Sequence, residues 1–321
     1  PLTVRKAMKT LLKRGLILRQ RGRGTFVAPR NDPQGFLAYV GDCEGHIYRD
    51  FLLELQELSQ QRGSRLSSFA LGEMELADVD STRLKQLQTF LPGCGAAVVD
   101  VQHAPKYLPD IRKLAKRVVT IGPSWHVRQA AQPLRISFGD EAAAELAYRH
   151  LFELGHRKIG FVTFGFASAD NPDEICMEIS WNSRLHRLRE LASDSLKECQ
   201  LQTFAMVAQH PEHTQRRMEK FLSARNRPSA IICDGDFRAQ TVYAVAARLG
   251  LAIPRDLSVI GISDTPWARE LLPRLDSISL GERQDASLAA WLCLDQNAPA
   301  EFACIMEPKL VRRDSTAKYA G

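Results

Sequence analysis

The chain of 321 residues lacks any apolar run long enough to cross a bilayer, which takes about 18 or more consecutive apolar residues. Its N-terminal stretch also lacks the apolar core of a secretion signal. We therefore expect no membrane partner and a cytoplasmic location. Apolar residues make up 45% of the chain and charged residues 25%, so there is ample material for two or three folded domains.

Metal-site and catalytic patterns are missing as well. The seven cysteines form no C-x-x-C pair and no cluster with histidine, so we interpret them as reduced, mostly buried thiols. The chain has no G-x-S-x-G, no P-loop, no H-E-x-x-H and no Rossmann G-x-G-x-x-G after a strand. We therefore predict no enzymatic activity, no cofactor and no bound metal.

Acidic residues are absent from residues 1–30, which carry nine of the lysines and arginines, whereas the rest of the chain is slightly acidic. This local charge points to a polyanionic partner. Apolar spacing predicts a helix over residues 3–14, and strand-like runs at 16–18 and 25–28 flank a glycine-rich turn at 19–24. A basic helix and a hairpin suit DNA, with a solvated basic helix and an ordinary hairpin as the alternative.

The segment TVRKAM…LL…GLI…RGRGTFVA resembles the recognition helix and wing of the GntR-type winged helix-turn-helix. Only Pro1 and Leu2 precede this segment, so we expect a partial DNA-binding module over residues 1–30. The resemblance implies major-groove contacts from Thr3, Arg5 and Lys6, and wing-tip contacts from Gly22, Arg23, Gly24 and Thr25.

A short Pro- and Gly-containing linker at residues 31–35 precedes two series of alternating strands and helices. The first series predicts strands at 36–40, 66–71, 96–101 and 118–121, and helices at 47–61, 81–90 and 107–115. The second predicts helices at 140–154, 182–192, 211–224 and 237–249, and strands at 158–164, 202–207, 230–233 and 257–262. This order predicts an α/β protein with two similar lobes, each built on a parallel sheet, and a ligand in the cleft between them.

Ligands of such sheets lie beyond the carboxyl ends of the strands. The loops 41–48 and 122–130 are expected at that end of the first lobe. Polar and aromatic residues in them could meet a ligand, or could simply cover the edge of the core: Glu44, His46, Tyr48 and Trp125.

Three stretches resemble the effector domain of LacI-type regulators: Asp140–Val162, Arg227–Ile278 and Glu307–Thr316. A GntR-type wing before such a domain is the arrangement of arabinose-repressor-like regulators. The resemblance implies a periplasmic-binding-protein-like (type I) domain over residues 36–316, followed by a tail at 317–321. We assign the first lobe to about 36–135 plus 280–297, and the second to about 136–279 plus 300–316.

The same resemblance implies effector contacts from Tyr48, Arg184, Asp236, Ser263 and Asp264. Tyr48 would stack on a sugar ring, and Arg184 would donate to ligand hydroxyls. Ser263 stands where the family has an aspartate, which suggests either a ligand unlike the family's common hexoses or a relaxed site. Helix or turn capping is the alternative for Asp236 and Asp264, and a solvated helix face for Arg184. For Asp140 we expect helix capping.

These features together predict a bacterial transcription regulator, most simply a repressor. It would bind operator DNA as a homodimer, and a small polar effector such as a sugar would control that binding. The alternative is a solute-binding protein of a transport system, built on the same two lobes. A sugar-processing enzyme is a third option, but the sequence shows no catalytic set for it.

Overall fold

A computed structural model gives the structure of most of the chain. It describes residues 17–20, 24–27, 35–43, 48–71, 81–167, 175–176, 183–194, 199–207 and 210–321. For residues 17–20, 24–27, 125, 166–167 and 175–176 it describes the backbone alone. The predicted N-terminal helix lies outside the described residues, as do Thr3, Arg5, Lys6, Gly22, Arg23, Glu44 and His46.

The predicted N-terminal hairpin is present. Strand β1 (Ile17–Gln20) pairs antiparallel with β2 (Gly24–Val27). The ladder runs to the pair Gln20 and Gly24. The predicted turn over residues 19–24 is therefore too long, because Arg19, Gln20 and Gly24 belong to the paired strands.

The first lobe is built on a six-stranded sheet in which every strand is parallel to its neighbours. Its strands are β3 (Phe36–Gly41), β4 (Leu66–Ala70), β5 (Cys94–Asp100), β6 (Arg117–Pro123), β7 (Leu134–Phe138) and β15 (Phe302–Ile305). Their order across the sheet is β15-β7-β6-β5-β3-β4. The central strands are continuous apolar runs, as expected where helices cover both faces of a sheet.

The described helices of this lobe are α1 (Arg49–Gln61), α2 (Ser81–Phe90), α3 (Leu108–Leu114), α4 (Ser124–Ala130) and α10 (Glu282–Leu294). A 3-10 turn at Pro105–Tyr107 leads into α3. Apolar residues of α1 and α10 bury one face of the sheet, and those of α2, α3 and the 3-10 turn bury the other.

The second lobe has a six-stranded sheet in the order β11-β8-β12-β13-β14-β16. Its strands are β8 (Lys158–Phe164), β11 (Gln200–Met206), β12 (Ala230–Cys233), β13 (Ser258–Ile262), β14 (Asp276–Ser279) and β16 (Lys309–Val311). Only the edge pair β14 and β16 is antiparallel among these described strands. Two short strands, β9 (Phe166–Ala167) and β10 (Ile175–Cys176), form a separate antiparallel pair.

The helices of the second lobe are α5 (Asp140–Glu153), α6 (Ser183–Asp194), α7 (Pro211–Ser223), α8 (Asp236–Arg248) and α9 (Pro266–Glu270). Apolar residues of α5 and α6 cover one face of the sheet, and those of α7 and α8 cover the other. The two lobes therefore have the same three-layer α/β build, which confirms the predicted fold class. Within the described part of the chain, no helix has both the length and the hydropathy that a membrane span requires.

The chain passes between the lobes three times. Strand β7 leads into α5 at residues 138–140, β14 leads into α10 at 279–282, and β15 leads into β16 at 305–309. In all three places the chain leaves a strand at its carboxyl end. The carboxyl ends of both sheets therefore face the crossovers, and this is where a ligand of a parallel sheet is expected.

Two of these crossovers pack closely against each other. A side chain at Gly139, in the first crossover, would collide with the backbone carbonyl of Met306 in the third. Met306 donates its backbone N–H to the carbonyl of Ser137 at 2.9 Å. Glycine at position 139 allows the two backbones to approach, and the crossovers form one junction.

Several boundaries differ from the predictions. The region 122–130, expected to be a loop, is mostly the helix α4, which starts directly after Pro123. We placed residues from 136 on and from 300 on with the second lobe, but β7 and β15 pair within the first sheet. The lobe boundaries themselves stay a prediction. The predicted helix at 107–115 begins as the 3-10 turn at Pro105–Tyr107.

Candidate functional site

Tyr48 lies at the start of α1, in the core of the first lobe. It is only 3% exposed, and its ring packs 6.3 Å from Tyr39, 6.2 Å from His103 and 6.1 Å from Phe138, measured between ring centroids. Burial, followed by the charge of Asp100, raises the pKa of its hydroxyl well above the ordinary value. This packing favours a structural role, and stacking on a sugar stays a prediction.

Next to Tyr48, Asp100 and His103 form a pair at the carboxyl end of β5. His103 Nδ1 lies 2.5 Å from Asp100 Oδ2, and Asp100 also accepts the backbone N–H of Gln102. Burial alone would lower the pKa of His103, but the hydrogen bond and charge of Asp100 outweigh it and raise the pKa. No spacing pattern indicates this pair from the sequence, apart from its position after a buried strand.

Arg184 is the centre of a buried group of charges at the start of α6. Its Nε and Nη2 lie 2.9 Å and 2.6 Å from Asp140 Oδ1, and Nη1 donates to Asp234 Oδ1 at 2.9 Å. Nη1 also donates to the Asp234 carbonyl at 2.6 Å. Thr163 Oγ1 donates to the other oxygen of Asp234 at 2.8 Å. All three guanidinium nitrogens are therefore bound within the protein.

The expectation that Asp140 caps α5 is wrong. Gly139 is the residue that precedes the helix, and Asp140 makes no capping hydrogen bond with its side chain. Instead the carboxylate of Asp140 neutralises Arg184. Burial raises the pKa of Asp140, and the charge of Arg184 opposes that rise. The Oδ2 atom of Asp140 is buried and has no partner among the described residues.

Asp236 holds three elements of the second lobe together. Its carboxylate is fully buried and accepts the backbone N–H of Thr265 at 2.6 Å, Thr265 Oγ1 at 2.9 Å and Ser277 Oγ at 2.6 Å. Burial raises its pKa to about 6. Both oxygens are occupied by protein donors, so the geometry favours a structural role, and effector contact by Asp236 stays a prediction.

Ser263 and Asp264 follow β13 with left-handed backbone, at φ values of 104° and 45°. The Asp264 carboxylate accepts a hydrogen bond from Arg313 Nη2 at 2.5 Å. Ser263 differs from Asp264 because its side chain has no such partner. Ser263 is 3% exposed, and its Oγ has no hydrogen-bond partner among the described residues. Non-glycine residues with positive φ cluster at functional sites. Ser263 is the predicted contact with the best geometric support.

Sequence reasoning missed Glu282 and Asp285, in the first turn of α10. Asp285 is fully buried, and neither of its carboxylate oxygens has a partner among the described residues. The Oε1 atom of Glu282 is likewise without a partner there. Burial raises the pKa of Glu282 to about 7 and that of Asp285 to about 8, with further increases from neighbouring carboxylates. The available signal was two acids three residues apart, the first of them directly after Gly281.

Arg238 lies in the first turn of α8, near the carboxyl end of β8. Its guanidinium carbon lies 4.4 Å from the ring centroid of Phe237 and 5.3 Å from that of Phe164. Burial lowers its pKa. Its Nε has no hydrogen-bond partner among the described residues. Trp125, predicted to face a ligand, lies in α4, and its side chain is outside the described part of the chain.

The described residues contain no group of three His, Cys, Asp or Glu side chains that could hold a metal ion. Several buried polar atoms at the junction of the lobes have no hydrogen-bond partner among the described residues. They come from Asp140, Ser263, Glu282 and Asp285, that is, from both lobes.

Comparison with known families identifies the fold family. A model described as a periplasmic binding protein-like domain matches residues 148–316, more than half of the chain. The chain belongs to this family. The match covers most of the second lobe and ends at Thr316, beyond β16.

Curated relatives of this periplasmic binding protein-like chain include HTH-type transcriptional repressors named PurR. The repressor from Serratia proteamaculans (strain 568) is 29% identical over 179 residues, which are 55% of this chain and 50% of the relative. The one from Edwardsiella ictaluri (strain 93-146) is 32% identical over 179 residues, 54% of this chain and 48% of the relative. The chain thus spans about half the length of the curated relatives it matches.

Solved structures extend the fold match to both lobes. A LacI transcriptional regulator from a Rhodococcus species covers 88% of this chain and 98% of its own, with a TM-score of 0.67 at 20% identity. A LacI family regulator from Enterococcus faecium with bound ribose covers 88% and 99%, with a TM-score of 0.67 at 16% identity. A dimeric Lac repressor covers 88% and 99%, with a TM-score of 0.68 at 16% identity. These similarities support the LacI-type resemblance and give the GntR-type resemblance no support, so the latter stays a prediction.

Proposed function

We propose that the chain is part of a LacI-type transcription regulator, a repressor whose binding to operator DNA depends on a small polar effector. The effector would bind between the two lobes. The regulator would act in the cytoplasm, as a homodimer. The PurR repressors among its relatives support a regulatory role, and the ribose in the Enterococcus structure supports a ligand of sugar size.

The observation that carries this proposal is the junction of the lobes. The carboxyl ends of both sheets meet at three crossovers, and buried polar atoms without partners lie there on both sides. A ligand that bonds to both lobes stabilises one relative arrangement of them over another. The population of the favoured arrangement then increases, and the ligand's difference in affinity for the two arrangements sets the size of that increase. A changed arrangement of the sensor domains then alters how well a dimer fits two DNA half-sites.

Among the predicted contacts, Ser263 is supported by its free hydroxyl. Arg184 and Asp236 act on the ligand indirectly in this proposal, because their polar atoms are bound within the second lobe. Asp264 holds Arg313, and Tyr48 packs the start of α1. These residues shape the walls of the cleft, and the acids of α10 add the unpartnered groups.

The basic residues 1–30 are proposed to contact DNA, through Arg5 on the predicted helix and Arg23 in the predicted wing tip. The hairpin formed by β1 and β2 supports a wing of the GntR type. Phosphate contacts dominate such binding, so affinity for DNA is expected to fall steeply with salt.

A solute-binding protein of a transport system is the second candidate, because the same two lobes serve such proteins. The curated relatives are repressors, which favours a transcription regulator over a solute-binding protein. The basic segment 1–30 also favours it, since a sugar carrier has no use for a polyanion-binding module.

Selection from a random DNA library with the natural full-length protein, at low salt, tests the proposal. We expect enrichment of one sequence with two related half-sites, as a homodimer requires. Uniform recovery of the library, with no enriched sequence, would contradict a role in operator binding.

A further inference from the structure

Glu282 and Asp285 are three residues apart in α10, so their side chains share one side of its first turn. The helix begins directly after Gly281, in the second crossover between the lobes. This position places both carboxyl groups at the junction where the carboxyl ends of the two sheets meet.

Both groups lie among residues of the two lobes. The carboxylates that act on Glu282 belong to Asp50 in α1 and to Asp236 and Asp264 in the second lobe. The charges of Glu282 and of Asp140, the first residue of α5, raise the pKa of Asp285 further. Asp285 also acts on the thiol of Cys304 in β15, so the first turn of α10 lies between the first sheet and the second lobe, at the proposed effector site.

Glu282 and Asp285 lack hydrogen bonds that would offset the free-energy cost of burying their carboxyl groups. Asp285 is 0% exposed with two unpartnered oxygens, and Oε1 of Glu282 is also unpartnered, within the described residues. A buried carboxyl without hydrogen bonds is costly, and such groups are rare in folded proteins.

The cations nearby are already bound. Arg184 pairs with Asp140 and Asp234, and Arg313 pairs with Asp264. Among the described residues, no Lys, Arg or His forms an ion pair with Glu282 or Asp285. The site therefore has two carboxyl groups that no cation of the described chain neutralises when they ionise.

We propose that the effector carries a positively charged amine, which Asp285 and Glu282 bind at the junction of the lobes. This inference rests on the proposed function and names the chemical class of its effector. An ammonium group has three N–H donors and no acceptor, and ionised carboxylates are acceptors only, so the two sets match. The hydroxyl of Ser263, also buried and unpartnered, adds an uncharged partner for a ligand hydroxyl.

Proton release follows from this arrangement. Burial raises the pKa of Asp285 to about 8 and of Glu282 to about 7, so both acids hold protons over part of the neutral range before the ligand binds. An ammonium group favours the ionised carboxylates and displaces those protons. Amine affinity is therefore expected to rise between about pH 6 and pH 8.5. A neutral polyol gains nothing from ionised acids and is expected to show no such rise.

Matched ligand pairs test the proposal on the full chain. Glucamine is compared with sorbitol, galactamine with galactitol, and putrescine with 1,4-butanediol, because these amines stay protonated at pH 8.5; binding is measured by thermal shift and then by calorimetric titration at pH 6 and pH 8.5. We expect at least one amine to bind at least tenfold more tightly than its neutral partner, and to release protons when titrated in two buffers of different ionisation enthalpy. No stabilisation by any amine at pH 8.5, or equal binding by the neutral partner, would overturn the proposal.

Variants locate the binding groups. Asp285→Asn and Glu282→Gln keep the shape of each side chain and remove its charge, and each is expected to weaken amine binding about ten- to a hundredfold. Glu57→Gln, an exposed acid in the middle of α1, is the control and is expected to bind like the parent. If one variant fails to fold, the other variant and the pH dependence of amine binding by the parent chain still test the proposal. Binding of neutral sugars alone would contradict the proposal of an amine effector but not the proposed regulatory function. Absence of any preferred operator sequence would contradict the regulatory function itself.

Discussion

Arg184 binds Asp140 through two of its nitrogens, and both side chains are nearly inaccessible to solvent, at 11% and 4% exposure. Asp140 opens the first helix after the chain enters the second lobe, and Arg184 opens α6. The pair therefore fixes one wall of the cleft. A third partner, Asp234, comes from the carboxyl end of β12.

Replacing Arg184 by Ala is expected to destabilise the protein by about 3–5 kcal/mol, because Asp140 and Asp234 would remain buried without a counter-charge. Denaturant unfolding measures this. Arg187→Ala, on the same helix, removes pairs with the more exposed Glu145 and Glu190, and should cost less than about 1 kcal/mol. Equal costs for the two variants would show that Arg184 has no structural role of this kind.

Asp236→Asn is expected to cost about 1–3 kcal/mol, since the amide nitrogen of asparagine would face hydrogen-bond donors from Thr265 or Ser277. Ser277→Ala, which removes one of the donors, should cost less. Unfolding by denaturant is the measurement, with calorimetric ligand titration beside it. An Asn variant with unchanged stability and lost ligand binding would make Asp236 an effector contact instead.

The stability of the ligand-free protein should fall as the pH rises from about 4 to about 8. The folded pKa of Asp285 is about 8 against an ordinary 3.8, and that of Glu282 is about 7 against 4.5. In this window the folded state holds more protons than the unfolded state, so raising the pH favours unfolding, by at most about 1.4 kcal/mol per pH unit for each group. Asp285→Asn removes one such group.

Thermal unfolding of the parent, Asp285→Asn and Glu57→Gln across this range checks the effect. The Asn variant should gain stability over the parent at pH 8 and differ little at pH 4, while Glu57→Gln should follow the parent. Parallel curves for all three proteins would show that Asp285 does not titrate as its burial requires.

Arg5→Ala is expected to weaken specific DNA binding by about 1–3 kcal/mol, which is about ten- to a hundredfold, and to relax the base preference at one position of each half-site. Fluorescence anisotropy with the selected DNA measures this in the natural full-length protein. Arg62→Ala, a basic residue at the end of α1, is the control. A loss of equal size for Arg62 would mean that general positive charge, rather than the predicted helix, determines binding.

The sequence predicted the elements whose ends carry clear signals. The helix Ser81–Phe90 and the strands Lys158–Phe164 and Ala230–Cys233 have the predicted bounds. Continuous apolar runs mark the buried strands, and glycines with positive φ at 155 and 250 follow the ends of two helices as expected.

The crossovers and the site were harder to predict. Strands β14, β15 and β16 have only four, four and three residues, which are too few for periodicity to identify them. Arg184 finds its partners 44 and 50 residues away in the chain. Acidic residues in the first turn of a helix usually stabilise it by interacting with the helix dipole, so Glu282 and Asp285 do not stand out in the sequence. Asp285 is buried because α10 packs against the first sheet, which the sequence does not reveal.

The central claim is that a ligand between the lobes changes the affinity for DNA. The direct test is the dissociation constant of the natural full-length protein for its selected DNA, measured by anisotropy at fixed salt, without ligand and with a saturating ligand from the matched pairs. The account predicts a change of about 5- to 150-fold, and the same factor in the affinity for the ligand when DNA is bound. An identical dissociation constant for DNA with and without a ligand that demonstrably occupies the cleft would contradict it.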